Sequence, residues 1–380
     1  MLEVLRRVGF FPRACVWELT LACNMRCKHC GSIAGTKRSD EMTLDENLRV
    51  ADELAALGCK RVTLSGGEPT LHPDWFEIGR RLTTNYVRTN LISNGWTWSA
   101  RHVEQARDAG LCGAAFSLDG FESEHDDFRT PGSYARVVKA IDTSVGMGFP
   151  IAINTTINRL NQGLLPQLRQ FLIDHGVFAW QLQFATATGN MGQHKDMVVD
   201  PKDLLWLVPQ ISEMCRQNSR EFQIHASDDV GYYGQAENDL RSGDPAMPFW
   251  MGCRAGCQVV GIESNGTVKG CLSLPSSMCG ENRFVEGNLR QSSLREIWNR
   301  VDSFAYNRQF TPAQLTGFCR ACRFGDLCRG GCSWATYSHS RAGGVGNEMC
   351  FYYQAVKHGR HDLLDEPPTS EEQKYFEAAT

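Results

Sequence analysis

The run CNMRCKHC places Cys23, Cys27 and Cys30 within eight residues. Three thiolates on one loop can surround a small inorganic centre. A closed structural zinc site wants a fourth ligand. His29 could supply it, although this spacing is unusual for zinc. A 4Fe–4S cluster held by three cysteines instead leaves one iron open, and an open iron implies chemistry. The chain has 16 cysteines in 380 residues and no secretory signal. In a reducing compartment clustered cysteines are metal ligands or catalysts rather than cross-links.

The run follows a short apolar stretch, and three further turns follow similar stretches. They are Gly66-Gly67-Glu68-Pro69, Ser93-Asn94-Gly95 and Ser117-Leu118-Asp119-Gly120. Paired glycines let backbone approach a ligand closely, and Glu68 supplies an acceptor. Each turn alone is an ordinary strand-to-helix connection; together they converge on the face that carries the cysteine loop.

CxxxCxxC after the first strand and GGEP after the second resemble the radical S-adenosylmethionine (SAM) superfamily. The resemblance implies a 4Fe–4S cluster on Cys23, Cys27 and Cys30, with SAM chelating the open iron. Reductive cleavage would give a 5′-deoxyadenosyl radical that takes hydrogen from a substrate. Carried over by position, Gly66, Gly67 and Glu68 receive the SAM amino group and Pro69 shapes the turn. Ser93, Asn94, Ser117 and Asp119 contact ribose or carboxylate. Arg129 lies near the SAM carboxylate, and Asn154 is a further contact. His29 stands where the family often has an aromatic residue.

A second array comprises Cys253, Cys257, Cys271, Cys319, Cys322, Cys328, Cys332 and Cys350. CxxC pairs suit zinc as well as iron. The whole spacing resembles the SPASM extension of peptide- and protein-modifying radical SAM enzymes, which holds two auxiliary 4Fe–4S clusters. The resemblance implies Cys253, Cys257, Cys271 and Cys332 on one cluster, and Cys319, Cys322, Cys328 and Cys350 on the other. Three clusters are therefore expected. Cys15, Cys59, Cys112, Cys215 and Cys279 remain as unligated packing residues. Epimerising relatives use a cysteine as hydrogen donor, a role open to these five, though Cys59 and Cys112 fall at the wrong end of the barrel.

A net oxidation needs a proton acceptor near the substrate. Asp228 and Asp229, beside Tyr232 and Tyr233, are the candidates, set against a solvated turn as the plainer reading. Sulfatase-maturing relatives carry an aspartate after the cysteine matching Cys271; Leu272 stands here, so formylglycine formation is not expected. Trp96 and Trp98 could line the cavity. Gln181 and Gln183 alternate along a strand and so share a face, the barrel interior.

The elements that must position these residues read as six βα units. Strands are expected at Cys15–Leu19, Arg61–Leu64, Arg88–Ile92, Gly113–Ser117, Ile151–Ile157 and Trp180–Phe184. Helices are expected at Asp45–Leu57, Pro73–Thr83, Ala100–Ala109, Ser133–Met147, Leu164–His175 and Pro201–Asn218. Repeated βα units mean a parallel sheet with function at the carboxyl ends of the strands. The family fold is a partial (β/α)6 TIM-like barrel followed by a small cysteine-rich iron–sulfur SPASM domain. The expected division is a barrel at 1–227, a linker at 228–250, an auxiliary domain at 251–361 and an acidic mobile tail at 362–380.

Composition narrows the partners. Apolar residues are 42%, charged residues 22%, and 39 basic against 43 acidic side chains leave a net charge of −4. This near-balance offers no footprint for nucleic acid or an anionic membrane, and no apolar run reaches the ~20 residues of a bilayer span. A cytoplasmic protein is expected. The implied partners are a peptide or protein substrate, or a small metabolite such as a tetrapyrrole or antibiotic precursor, and a flavodoxin- or ferredoxin-type reductant. About fourteen residues precede the first strand, leaving no room for a fused leader-peptide-binding domain; a separate protein would supply one.

Overall fold

Seven parallel strands lie side by side in chain order: β1 (Ala14–Glu18), β2 (Arg61–Ser65), β3 (Arg88–Ser93), β4 (Ala114–Ser117), β5 (Ile151–Ile157), β6 (Ala179–Phe184) and β7 (Gln223–Ala226). They come from a computed structural model that describes residues 1–242, 248–276, 283–339 and 345–377. Crossover helices follow the expected periodicity, at Leu44–Ala56, Trp75–Thr84, Ala100–Asp108, Ser133–Gly146, Leu165–Asp174 and Leu204–Arg216. The first is started by a complete capping box between Thr43 and Glu46, which satisfies two of its orphan N–H groups.

Alternation along each strand sends one set of side chains toward the helices. Trp17, Leu64, Leu91, Phe116, Ile153 and Trp180 are buried there against Leu54, Ile78, Val103, Ile141, Leu172 and Ile211. Burying each such side chain contributes about 1.5–3 kcal/mol. Trp180 keeps its indole N–H satisfied by donating to Thr155 Oγ1 at 2.7 Å. The opposite face encloses the interior of a partial barrel.

The sheet does not stop at the barrel. Strand β8 (Val259–Ile262) pairs in parallel with β1, and β9 (Thr267–Lys269) and β10 (Val285–Asn288) continue antiparallel, giving one ten-stranded sheet. The barrel's first strand is therefore covered on both edges.

Two expectations are corrected. Residues 228–242 and 248–250 are packed structure rather than a linker: Val230, Tyr232, Tyr233, Leu240 and Trp250 are buried, and Glu237–Arg241 is helical. The glycines and aspartates there supply turn geometry, not solvation. Nor do the described residues of the acidic end form a loose tail. Ser370–Glu377 is a helix whose fully buried Glu372 accepts from Tyr352 Oη and the Arg323 backbone. Tyr375 and Phe376 pack on Phe318. Among the described residues no helix is long and apolar enough to cross a membrane.

Candidate functional site

The cysteine loop leaves β1 and is gripped from three sides. Cys23 N–H donates to the Gly35 carbonyl, Lys28 N–H to that of Phe128, and Asn190, beyond β6, spans the Cys27 and Cys30 carbonyls. The sulfurs point toward N–H donors: Met25 N lies 3.4 Å from Cys23 Sγ, Ala34 N 3.3 Å from Cys30 Sγ, and Arg129 Nη1 3.9 Å from Cys27 Sγ. Burial pushes the Cys27 thiol up to about 11, with Arg129 pulling the other way and Cys30 and Cys23 adding to the rise. Three neighbouring, half-buried cysteines suit a cationic centre, and N–H groups aimed at sulfur are what a thiolate-held cluster uses. Among the described residues no three side chains close on the position of one metal ion; a cube of four irons asks for wider-set sulfurs. The donor set fits a 4Fe–4S cluster. His29 lies flat on Phe128, ring centroids 4.2 Å apart. One of its nitrogens bonds the Phe128 backbone, and Nδ1 is buried without a partner among the described residues.

The turn after β2 is built to touch the chain that carries the cysteines. A Cβ on Gly66 would meet the Thr20 carbonyl at 2.4 Å, and one on Gly67 the Ala22 carbonyl at 2.4 Å. Gly67 N–H and Glu68 N–H donate to those same carbonyls at 2.8 Å. The glycines are thus needed first for backbone approaching backbone. No donor among the described residues reaches the Gly66 or Gly67 carbonyl, so both stay open to a ligand's ammonium group. Pro69 opens a short 3-10 turn, Pro69–Leu71, capped by Glu68.

Glu68 itself is spent internally. It is fully buried, and its carboxylate accepts from Thr70 N–H and Oγ1, Ser93 Oγ at 3.0 Å and Asn94 N–H at 2.8 Å. Ser93 Oγ in turn accepts from Gly95 N–H. The side chains of Glu68 and Ser93 thus tie the β2 and β3 turns together. Asn94 donates to Asn24 Oδ1 at 2.8 Å, with the same nitrogen 3.8 Å from Cys23 Sγ.

Asp119 is likewise committed. It receives Arg129 Nε on one oxygen and Thr156 N–H on the other. Burial would raise its carboxyl, but Arg129, His29 and His125 hold it below the ordinary range. Arg129 so bridges Asp119 and Cys27, and its Nη2 has no partner among the described residues, open to a carboxylate. Ser117 and Asn154 face each other in register, continuing to Gln181 and His225. No side-chain hydrogen bond of the described residues uses Ser117 or Asn154, so both are available to a bound molecule. His125, whose Nδ1 accepts from Asp119 N–H, and Asn190 escaped the sequence reading. The i, i+4 spacing of His125 and Arg129 was the available signal for the first; for Asn190 there was none.

Along the C-terminal halves of β1–β7 the inward-facing positions carry no lysine or arginine. Gln181 and Gln183 share that face as expected, Gln183 donating to Thr156 Oγ1 at 3.2 Å. Trp98 does not line the interior: it is buried in the helix layer, donating to Ser144 Oγ at 2.9 Å. Trp96 is half-buried under Arg136. Asp229 sits at the mouth, buried, its Oδ2 accepting from Phe184 N–H at 2.9 Å. Burial raises its carboxyl to about 6. Asp228 pairs with Arg254 at 3.4 Å. Cys15, Cys59 and Cys215 are core residues, Cys112 is exposed before β4, and Cys279 lies outside the described residues.

The eight distal cysteines fall into two groups. Cys253 hydrogen-bonds with Cys332 and acts electrostatically on Cys257 and Cys271. Tyr306, its hydroxyl buried and without a partner among the described residues, lies among Cys253, Cys271 and Cys257. Cys319, Cys322, Cys328 and Cys350 line one cavity walled by aromatic rings. The Asn347 amide in that wall has a buried nitrogen without a partner among the described residues. Two sets of four thiols, each with an orphaned donor beside it, fit two sulfide-bearing clusters.

A family model described as the radical SAM superfamily matches residues 17–162, and one described as an iron–sulfur cluster-binding domain, SPASM, matches 253–323. The chain is 32% identical to an AdoMet-dependent heme synthase of Methanosarcina barkeri over 332 residues, 84% of this chain and 90% of that protein. It is 27% identical to mycofactocin maturase MftC of Mycobacterium tuberculosis over 330 residues, 86% of this chain and 79% of that one. Among solved structures, Streptococcus suis SuiB bound to S-adenosylmethionine superposes with a TM-score of 0.71 at 18% identity, covering 92% of this chain and 80% of that one.

Proposed function

Because the chain belongs to the radical SAM superfamily, a SPASM-bearing enzyme using SAM and iron–sulfur clusters, we propose that it takes a hydrogen atom from a residue of a ribosomally made peptide or protein. Cys23, Cys27 and Cys30 hold the SAM-binding cluster, and the two distal groups hold one auxiliary 4Fe–4S cluster each. A cluster held by these three cysteines would leave one iron for SAM and would supply the electron for its reductive cleavage to methionine and a 5′-deoxyadenosyl radical.

The chain's own residues do the rest. The Gly66 and Gly67 carbonyls take the SAM ammonium group, and Arg129 Nη2 takes its carboxylate. Asn94, Ser117 and Asn154 offer hydrogen bonds to the remainder. Glu68, Ser93 and Asp119 hold those contacts in place. After the hydrogen atom has gone to the SAM-derived radical, Asp229 would accept the proton lost from the substrate as its second electron passes to an auxiliary cluster.

The observation that carries the peptide reading is the lining. Ser117, Asn154, Gln181, Gln183 and Thr156 present amides and hydroxyls, without a cation, to whatever enters. Such groups match the amides of a peptide chain. A separate leader-binding protein and a flavodoxin- or ferredoxin-type reductant complete this reading. A tetrapyrrole is the second substrate reading, favoured by the 32% identity to a heme synthase; its carboxylates would need cationic partners beyond the strand rows.

The test is anaerobic reconstitution followed by mass spectrometry of a precursor peptide and of an iron porphyrin carboxylate. About twelve irons per chain are expected, four for each cluster, with a mass change on the peptide. A change on the porphyrin alone would replace the peptide reading. Cys27→Ala should abolish SAM cleavage and leave about eight irons; retained cleavage would remove the initiating role from this loop.

A further inference from the structure

Arg308 and Arg329 are buried, at 7% and 6% exposure, and the oxygens they hold are uncharged. Arg308 Nε donates to the Gly256 carbonyl at 2.7 Å and Nη1 to that of Trp298 at 2.6 Å. Its Nη2 is buried without a partner among the described residues. Phe10, Trp298 and Phe304 close around it, their ring centroids 4.6, 4.4 and 4.5 Å from Cζ. Arg329 Nη1 donates to Asn307 Oδ1 at 2.6 Å and Nη2 to the Cys253 carbonyl at 2.9 Å. No carboxylate of the described residues forms an ion pair with either side chain. A guanidinium keeps its proton when buried, so two positive charges sit in a dry region without a protein anion, an expensive arrangement unless an anion is supplied.

Both charges are fixed to the turn that carries Cys253 and Cys257. Asn307 completes the frame, its Nδ2 donating to the Cys253 and Ala255 carbonyls at 2.9 and 2.7 Å. Arg329 follows Cys328 in sequence, yet from a left-handed backbone, φ 57°, its guanidinium reaches the other turn. Gly252 makes room for it: a Cβ there would meet Arg329 Nε at 2.3 Å. Covalent geometry keeps a cysteine sulfur within about 5 Å of its own carbonyl oxygen. A charge resting on that oxygen therefore acts on the sulfur at a range that a dry site barely screens. The Cys319 group has no such pair. Its cavity is walled by tyrosine and phenylalanine rings. Of the arginines beside its cysteines, Arg320 is exposed and Arg323 is paired with Glu366 and Glu372.

Resting on the assignment of one cluster to each group, we propose that Arg308 and Arg329 form a buried cationic pair that makes the Cys253 group the auxiliary site of higher reduction potential. A cluster on four thiolates is net negative and gains a further negative charge on reduction. Fixed positive charge beside it favours the reduced form and raises the potential. The same bound anion offsets the cost of keeping two cations dry. Both arginines are positioning residues, since the groups they touch are main-chain carbonyls, an amide and aromatic rings. The single electron given up by a substrate radical would settle on this group rather than on the Cys319 group.

The test is a potentiometric titration of the full, anaerobically reconstituted chain, followed by electron paramagnetic resonance. The signal lost in Cys319→Ala belongs to the Cys319 group, which leaves the other auxiliary signal to the Cys253 group. In the unaltered chain the Cys253 group should be reduced at the higher potential. Arg329→Gln, which keeps a donor and removes the charge, should move that signal to lower potential and by more than the other. Arg308→Gln should move it in the same direction. Arg329→Lys, which keeps the charge and gives up the planar fork, should leave it close to its original value. If the unaltered chain lacked two auxiliary signals, the cluster assignment itself would fail. With both signals present, a reversed order or equal shifts of the two in Arg329→Gln would overturn the cationic pair. So would equal shifts, or equal loss of iron, in Arg329→Gln and Arg329→Lys, because shape rather than charge would then be what the site needs.

Discussion

Asp229 keeps a buried carboxylate, with Oδ2 accepting from Phe184 N–H and the Ser227 side chain beside it. Burial lifts its value from 3.8 to about 6. The unfolded chain therefore ionises this group first as pH rises through that interval, and stability falls across it. Above pH 6 the full cost applies, about 3 kcal/mol for roughly two units. Asp229→Asn should make the iron-free chain more stable at pH 7.5, by up to about 3 kcal/mol, with the gain vanishing in acid; thermal melts across pH check this. The same variant should slow substrate oxidation by about 10²–10⁴-fold, with SAM cleavage unchanged. His29→Phe should keep its stack on Phe128 and retain the iron that the unaltered chain binds; loss of metal from the loop would restore the zinc reading. At this scale the sequence was informative about residue type and poor about direction. Glu68 and Ser93 stand where ligand contacts belong, yet nothing in GGEP or SNG says that the two side chains bond each other.

The βα units were legible because their strands are apolar runs and their helices keep a clean 3.6-residue stripe. Strand β7, Gln-Ile-His-Ala, was not: four residues with one aliphatic side chain carry no periodic signal, and only pairing with β6 makes them a strand. The segment after it was misjudged for a related reason. Gly, Asp and Ser suggest solvent, but the buried Glu237–Arg241 pair satisfies that backbone, which only a folded neighbour reveals. The turn after β2 yields a prediction of its own. Gly67→Ala would press a methyl into the Ala22 carbonyl, one residue before Cys23. Turn and loop must separate, so the SAM-binding cluster should be lost while the auxiliary iron remains. Iron analysis with electron paramagnetic resonance reads both, and a full complement would show that the contact has slack.

For the molecule as a whole, the cysteine spacing announced the second metal-binding part, but not that its first strand completes the barrel's sheet. Val259–Ile262 pairs with Ala14–Trp17, a contact between residues almost 250 positions apart that no local pattern encodes. A chain ending at residue 227 would expose the β1 edge, a row of unpaired N–H and C=O groups. It should aggregate rather than fold as a free barrel; a monodisperse monomer in size-exclusion chromatography would refute this. Cys257 lies two residues before β8, and β8 flanks the strand that runs into Cys23, Cys27 and Cys30. Oxidative damage at a distant ligand would therefore loosen a seam shared with the radical-generating loop. Air exposure or iron starvation would then strike both metal-binding parts together, and the half-life of the enzyme would follow the supply of assembled clusters.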